Sequence, residues 1–409
     1  MADTRGKDSG GVGGLSFKEL MVWLVWPRLL AAARLALRPA RLGISLIMLV
    51  LIGLIAQVPR LWIRPAPDEY NGPLAMGSDL AAAAFIKLVS GVIALEHVRA
   101  GEALLDLFVH LPKRLIAEYP WGSLAVLVPA LAVWAVGGGA VARMAATEFS
   151  LERRTSWTRA LAFALSRWGS LFAAMAAPLL VVGLLIGVMA AVGWLLLGIP
   201  YVNAGTSVAY FVVLLLGFAG VVILVTYLFA MPMLVPAVAC EGTDAIDGIQ
   251  RCYAYVSGRP LKVILYSAIL LVQAVVVTVV LAALAQAAVS LAAWSSTLFI
   301  SDDLAVAVLA QADAAAKPIA PPVDTSDLGR AERFAFGAVR FWIGIPMLLV
   351  ASFVVSFWFS GGTVLYLLIR QVCDGQDTGE LWTPGLIAGT HATPEAQAAA
   401  PDEGEDDEA

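Results

Sequence analysis

The sequence predicts an all-α fold: a polytopic membrane helix bundle with six transmembrane helices, interfacial amphipathic helices and a threefold helical-hairpin repeat. Hydrophobic residues make up 60% of the 409 residues and charged residues only 14%, a composition far more apolar than that of soluble domains. Six apolar runs are each long enough to cross the hydrocarbon core, which takes about 17–25 residues. A basic amphipathic segment also recurs before three of these runs.

The predicted spans organise the rest of the chain. Residues 1–15 form a leader that is expected to be disordered, and residues 16–370 form the membrane domain. The spans are predicted at about 42–58, 121–142, 169–199, 207–238, 263–294 and 341–369. Segments 59–120 and 295–340 are predicted to be extracytoplasmic, and 371–409 is predicted to be a cytosolic tail that is acidic and disordered after about residue 390.

The first span is preceded and followed by amphipathic pieces. Pro27 interrupts the leading helix, and a second piece runs to Arg38 and Pro39, where the first span begins. The segment after this span is predicted to contain two amphipathic helices, at roughly 79–99 and 101–118.

A short helix is predicted between the fourth and fifth spans. Thr243 or Asp244 serves as its N-cap and Asp247 lies in its first turn, where carboxylates bind free backbone N–H groups. Gly258 and Pro260 mark its end, because Gly accepts the left-handed C-cap conformation and Pro cannot continue a helix. Since one face is apolar and the other polar, the helix is predicted to lie along the membrane.

Three segments share one pattern: an amphipathic helix, an Arg, a Pro or Trp, and a long apolar span. The three arginines are Arg38, Arg167 and Arg259. The pattern predicts a unit of interfacial helix, outward span and returning span that is used three times. The three copies cover about 16–143, 144–237 and 238–370. The alternative is that positive flanks before inside-to-outside spans produce part of this pattern without repetition.

This unit resembles that of the YciC-like bacterial membrane proteins and of the membrane domain attached to some glycerophosphodiester phosphodiesterases. The resemblance rests on Ala245 to Tyr253, which form the amphipathic helix, and on Gly258-Arg259-Pro260, which form the basic elbow before a span. Cys252 stands where a small hydroxyl residue is expected. The resemblance implies a six-span bacterial membrane fold, and it carries no phosphodiesterase activity because no catalytic domain is attached.

The distribution of Lys and Arg orients the predicted spans. The short loops 143–168 and 238–262 carry five and three basic residues, and the turn around Asn203 carries none. We therefore expect a multi-pass protein of the cell inner (cytoplasmic) membrane with both termini in the cytosol. The three cysteines then fall on the cytosolic side and are expected to be reduced thiols.

Two sets of residues are predicted to adapt the chain to lipid. Basic side chains near the span ends are expected to contact lipid head groups. They are Arg28, Arg34, Arg38, Arg41, Arg167, Arg259 and Lys262. Glycines at packing spacing are expected to let helices approach closely. They are Gly183, Gly187, Gly217 and Gly220, with Gly137 to Gly139 as a further group.

No sequence motif points to catalysis. The predicted spans contain no Asp, Glu, Lys, Arg or His away from their ends, which lowers the case for ion-coupled transport. Glu102, Asp106 and His110 have the spacing to share a helix face and are a weak candidate for a divalent metal site. The simpler interpretation is an ordinary polar face, so we expect no metal and no cofactor.

The charge balance argues against a nucleic-acid partner. Residues 402–408 hold six of the 31 acids, which leaves 25 acids against 26 bases in the rest of the chain. The expected partners are membrane lipids and a protein that binds the cytosolic tail or loops.

These observations favour a non-enzymatic membrane scaffold or accessory subunit. The alternative is a carrier or permease for lipid or another apolar molecule, which the prolines within the predicted spans suggest. A membrane enzyme built on segment 59–120 is a third hypothesis.

Overall fold

The computed structural model describes residues 26–61, 72–198, 210–300, 303–315, 323–326 and 328–383. These residues form helices and contain no strand. Six of the helices are long and apolar enough to cross a membrane, and a bent helix pair near the beginning of the described chain gives a seventh span if it counts as one. The predicted all-α polytopic helix bundle is therefore confirmed. The leader, the turn around Asn203 and the tail after Thr383 lie outside the described residues.

Short helices separate the long ones along much of the chain. In chain order the helices are α1 (Ala31–Ala36), α2 (Pro39–Ile55), α3 (Pro73–Ile93), α4 (His97–Leu105), α5 (Leu111–Glu118), α6 (Pro120–Leu151), α7 (Trp157–Ser166), α8 (Trp168–Leu197), α9 (Tyr210–Glu241), α10 (Ala245–Gly258), α11 (Pro260–Thr297), α12 (Asp303–Ala314) and α13 (Arg330–Asp374). A 3-10 turn precedes α1, and a π-helical turn, Asp106–His110, joins α4 to α5. The candidate spans are α3, α6, α8, α9, α11 and α13, and the bent pair joins Pro27–Ala36 to α2 at 66°.

Three short helices lead into long ones through an arginine. Arg38 immediately precedes α2, Arg167 separates α7 from α8, and Arg259 separates α10 from α11. This is the arrangement that the recurring sequence pattern predicts. The three elbows lie at the end of the bundle where α6, α9 and α13 terminate. Arg38 pairs with Glu148 near the end of α6, and Tyr255, one turn before Arg259, donates to Asp374 at the end of α13. Arg167 contacts Trp382, whose backbone N–H donates to Cys240 near the end of α9. We call this end of the bundle the elbow end.

The two later short helices have side-chain N-caps, and the predicted cap at Thr243 or Asp244 is made by Asp244. The Ser156 side chain accepts a hydrogen bond from the backbone N–H of Arg159 (3.4 Å) at the start of α7. Asp244 is the N-cap of α10 and accepts a hydrogen bond from the backbone N–H of Asp247 (3.0 Å). These bonds satisfy backbone donors that have no partner within the helix.

The short helices bury their apolar faces against protein. In α1 and the turn before it, Leu29, Ala32 and Leu35 are fully buried, and this segment packs against α11 and α13. The Gln273 side chain of α11 donates to the backbone oxygen of Leu30 (2.9 Å), which ties α11 to the segment. One face of this segment is therefore buried against the bundle, while Leu30 and Arg34 are exposed, and its predicted contact with lipid stays a prediction.

Helix α6 lies at the centre of the bundle. Three consecutive glycines, Gly137 to Gly139, face three different neighbours, and a Cβ atom on any of them would overlap a neighbouring side chain. The side chains in question are Met48 of α2, Phe359 of α13 and Leu171 of α8. Absence of a side chain at these positions lets three helices pack directly on the α6 backbone.

Helix α3 is the main departure from the predicted organisation. It is a candidate span of 21 residues, whereas the sequence places it in an extracytoplasmic segment. It packs against the chain from α4 to α5, and we call this pair of arms the 73–118 hairpin. Near neighbours pair Gly77 with Leu115, Lys87 with Asp106 and Gly91 with Ala100, so the two arms are antiparallel.

The 73–118 hairpin lies beside the bundle. The Ser123 hydroxyl near the start of α6 donates to the backbone oxygen of Leu115 (2.7 Å), which folds the hairpin back along α6. Phe108, in the middle of one arm, contacts Tyr227 in the middle of α9, with ring centroids 6.4 Å apart. The hairpin therefore runs from the far end of the bundle towards the elbow end.

The end of the bundle opposite the elbow end has a small apolar core of its own. It is formed by the end of α11, by α12 and by the start of α13, around Val289, Ala307 and Phe336. The Gln286 side chain of α11 donates to the backbone oxygen of Ala312 (2.8 Å), as expected for an amide that joins helices. Segment 295–340 is thus built partly into the bundle.

Candidate functional site

A buried carboxylate organises the elbow end. Glu241, the last residue of α9, is 2% exposed. It accepts hydrogen bonds from Arg370 Nη1 (2.5 Å) and from the Tyr366 hydroxyl (3.1 Å), and Arg251 Nη1 lies 3.8 Å away. Arg370 is 0% exposed. Burial of two opposite charges is tolerated here because each is paired and hydrogen-bonded.

Arg370 also holds the chain that follows α13. Its Nη2 atom donates to the backbone oxygens of Asp377 (3.0 Å) and Glu380 (2.6 Å). The chain reverses at Gly375, which has φ +70° and ends α13. We call residues 375–383 the docked segment, because these bonds hold it against the end of the bundle.

Trp382 completes the attachment of the docked segment. Its backbone N–H donates to the oxygen of Cys240 (3.1 Å), and its own oxygen accepts from Arg143 Nη2 (2.6 Å). Arg143 Nη1 donates to the Ala239 oxygen (2.9 Å). The indole ring covers Gly242, which has φ +60° and no room for a Cβ atom. A glycine is required there by both conformation and space.

Aromatic rings surround the guanidinium groups at this site. Arg143 lies 5.0 Å from the ring centroid of Phe163, and Arg167 lies 5.3 Å from that of Trp382. Such cation–π contacts add to the carbonyl hydrogen bonds of Arg143. The docked segment is therefore fixed by two buried arginines, Arg143 and Arg370, from two different helices.

A second ion cluster joins the first elbow to the end of α6. Glu148 pairs with Arg38 at 2.7 Å and also binds Arg41. Arg41 further donates to the backbone oxygens of Leu35 and Met144. Because Arg41 is only 2% exposed, the prediction that it contacts lipid head groups is wrong. Its charge faces protein carbonyls and a carboxylate.

The other basic residues predicted to contact lipid fall into two groups. Arg28, Arg38 and Arg167 make protein contacts: Arg28 donates to the Thr378 hydroxyl (3.0 Å), Arg38 binds Glu148, and Arg167 stacks on Trp382. The second group is exposed, and contact of its members with head groups stays a prediction. It consists of Arg34, Arg259 and Lys262.

Among the glycines predicted to pack closely, Gly137 to Gly139 mark close helix contacts, whereas the other four do not. Gly183, Gly187 and Gly220 have no heavy atom within 4 Å of a Cβ position, and Gly217 has only Met189 Sδ at 3.9 Å. Gly183 and Gly187 face outward, so their predicted role in packing within the chain is wrong. Spacing identifies small residues on one face but does not say which face meets a helix.

The candidate metal ligands surround a lysine. Glu102, Asp106 and His110 share a face as predicted, but Lys87 Nζ of α3 lies 3.0 Å from Glu102 Oε2 and 2.9 Å from Asp106 Oδ2. His110 Nδ1 contacts Asp106 Oδ1 at 2.9 Å. One ammonium group thus lies between two carboxylates, where a metal ion would otherwise be needed to offset their charge. In the part of the chain that the structure describes, no group of three His, Cys, Asp or Glu side chains could hold a metal ion.

A groove of about 580 Å³ opens beside this cluster, between α3 and the second arm of the hairpin. Its walls combine small apolar side chains with charged ones. They include Leu80, Ala84, Leu111, Lys113, Arg114 and Glu118. Nothing in the sequence marks Lys113 and Arg114 as groove residues, because the antiparallel pairing of the arms is not evident from the sequence.

The three cysteines are free thiols. Cys240 and Cys252 are fully buried, and burial raises the pKa of the Cys252 thiol. A thiol with a raised pKa carries little thiolate and is a poor nucleophile.

Comparison with known proteins found no matching family model, no similar curated protein and no solved structure of similar fold.

Proposed function

We propose that the chain is a non-enzymatic membrane scaffold or accessory subunit whose docked segment presents the residues after Thr383 to a partner protein. The observation that supports this role is the attachment of the docked segment by the buried side chains of Arg143 and Arg370. Because the segment is held in this way, the residues after Thr383 begin at a fixed position on the elbow end. Residues 402–408 of that region are acidic, which suits a partner with a basic surface.

The proposal includes an orientation. We infer that the protein lies in the inner membrane of a bacterial cell with the elbow end in the cytosol, because positive flanks of short loops favour that side. The similarity to YciC-like membrane proteins stays a prediction and is consistent with this placement.

Site-specific photo-crosslinking tests the scaffold role. A photoreactive residue at Thr383, which is exposed, is expected to give a reproducible adduct with one partner in native membranes. The matched control is the same residue at Phe299, which is 99% exposed at the opposite end. Truncation after Thr383 should abolish the adduct. Adducts of equal yield from both positions, or none from Thr383, would contradict the proposal.

A carrier of lipid or another apolar molecule is the second candidate function. The groove between the two arms of the 73–118 hairpin favours a carrier, because the size of the groove suits a small amphiphile. The close packing around Gly138 argues against a path through the centre of the bundle. Flux and lipid-transfer assays in liposomes separate the two functions, since a scaffold is inert in both assays and a carrier is not.

A further inference from the structure

The groove in the 73–118 hairpin has the dimensions of a ligand site. Its volume of about 580 Å³ lies within the range of roughly 300–1,000 Å³ that is usual for small-molecule pockets. Alanines on both arms, Ala83, Ala84 and Ala117, leave this space open. Leu80 and Leu111 give the groove an apolar part.

Some of the charged side chains in the groove have ion-pair partners and others do not. Lys87 is engaged by Glu102 and Asp106, and His110 contacts Asp106. Lys113 and Arg114 are exposed and, among the described residues, have no acidic side chain within ion-pair distance. Two adjacent cations without an ion-pair partner are thus available at the rim of the groove, and Glu118 is the remaining carboxylate in its wall.

The two cations lie close to a membrane-interface marker. They precede the start of α6 by less than two helical turns, and Trp121 at that start is 77% exposed. Exposed Trp residues at the ends of spans are typical of the head-group region, and Lys and Arg side chains near span ends extend towards the same region. Leu80 and Leu111 lie deeper than the two cations, between them and the Lys87–Asp106 ion pair at the inner end of the groove.

We propose that this groove binds an anionic amphiphile through its phosphate head group, with Lys113 and Arg114 contacting the phosphate oxygens. Arg binds phosphate with two parallel hydrogen bonds and Lys acts as a compact point charge, so the pair suits a phosphate mono- or diester. The apolar walls contact the proximal part of the acyl chains. This site does not depend on the scaffold role, because its ligand is a lipid and its residues lie far from the docked segment.

Binding to the purified full-length protein in detergent tests the site. The probes are dioctanoyl phosphatidylglycerol, dioctanoyl phosphatidylcholine and glycerol 3-phosphate, and the readout is native mass spectrometry with titration. We expect the anionic lipid to bind at least about tenfold more tightly than the zwitterionic one. One charge-assisted hydrogen bond is enough to give a ratio of that size. The double variant Lys113→Ala with Arg114→Ala should lose this preference.

The matched control removes two adjacent exposed arginines elsewhere. Arg153→Ala with Arg154→Ala makes the same change in net charge and should bind as the wild type does. Lys113→Arg with Arg114→Lys keeps both charges and should retain the preference. Equal binding by the Lys113/Arg114 alanine variant and the wild type would overturn the proposal. Equal affinity for glycerol 3-phosphate would also overturn it, because the ligand would then be a soluble phosphate compound.

Discussion

At the scale of single residues, stability depends most on buried positions that have no room for a larger side chain or that hold a charge in need of a partner. Gly138 of α6 faces the ring of Phe359, and Glu241 neutralises a fully buried arginine. Gly138 belongs to the group of glycines predicted to pack closely, whereas Glu241 belongs to no sequence motif. A small change at either position should destabilise the protein. Protein interiors are closely packed, and a buried charge needs a partner.

Substitution of Gly138 tests the packing at the centre of the bundle. Gly138→Ala should lower the free energy of unfolding by about 1–3 kcal/mol, because the added methyl group displaces the Phe359 ring. Thermal unfolding in detergent measures the effect. Gly183→Ala is the control, since no atom lies within 4 Å there, and Ala in a helix is favoured over Gly by about 0.5–1 kcal/mol. Equal melting temperatures of the two variants would contradict this account.

Substitution of Glu241 tests the buried ion pair. Glu241→Ala should cost about 3–5 kcal/mol, because it leaves the charge of Arg370 buried without a counter-ion. The double variant Glu241→Leu with Arg370→Met should recover much of this loss. Glu96→Ala is the control, since its pair with Arg99 is exposed on both sides and such pairs contribute about 1 kcal/mol or less. If the double variant is no more stable than Glu241→Ala, Arg370 does not carry the cost.

The sequence was informative about residues whose role is local. Asp244 as N-cap follows from backbone chemistry within a few positions. The helix also ends at Gly258, but Gly258 is itself helical and Arg259 is the C-cap, so the left-handed conformation predicted for Gly258 is wrong. The sequence was uninformative where the partner lies far along the chain. Arg41 looked like a lipid contact because its partner Glu148 is 107 residues away, and nothing local indicates that contact.

At the scale of elements, the docked segment shows how a polar stretch becomes ordered. Asp377 Oδ1 accepts a hydrogen bond from the backbone N–H of Gly379 (3.0 Å), which closes a turn within the segment. This backbone bond, with smaller contributions from Thr378 and from the charge of Arg28, lowers the pKa of the Asp377 carboxyl. The polar piece after Arg370 is thus ordered partly by its own turn chemistry and partly by distant arginines.

Acidification should loosen the docked segment. A carboxyl whose pKa is lowered in the folded state stabilises that state above its unfolded pKa of about 3.9, and the contribution is lost as the pH falls through the lower folded pKa. A nitroxide at Thr383→Cys in a Cys373→Ser chain should therefore become more mobile below about pH 4. Asp377→Ala, which removes the acceptor of the Gly379 hydrogen bond, should give the mobile spectrum at neutral pH. A label that is no more mobile in Asp377→Ala than in the chain with Asp377 would show that this turn does not hold the segment.

At the scale of the whole molecule, the 73–118 hairpin raises the question of how the chain crosses the membrane. Its amphipathic pattern and its charges indicate an extracytoplasmic segment, yet the structure lays it beside α6 and α9. Sequence periodicity shows that a helix has a polar face, but a second helix can cover that face, as Lys87 covers Glu102 and Asp106. Because the hairpin has two antiparallel arms, the chain enters and leaves it at the same end of the bundle, so the predicted orientation of all other spans is unchanged.

Labelling at Leu95 distinguishes the two placements. Leu95 is 88% exposed at the tip of the hairpin. It lies 13 residues before Phe108 in the chain, which is about 20 Å at 1.5 Å per residue. Tyr227, which contacts Phe108, lies a similar distance from the elbow end, so the tip should reach that end. In a Cys373→Ser chain, Leu95→Cys should therefore escape an impermeant maleimide applied from the side that labels Phe299→Cys. Arg154→Cys, at the elbow end, serves as the opposite-side control. Equal labelling of Leu95→Cys and Phe299→Cys from one side would place the hairpin outside the membrane and support the extracytoplasmic prediction for 59–120.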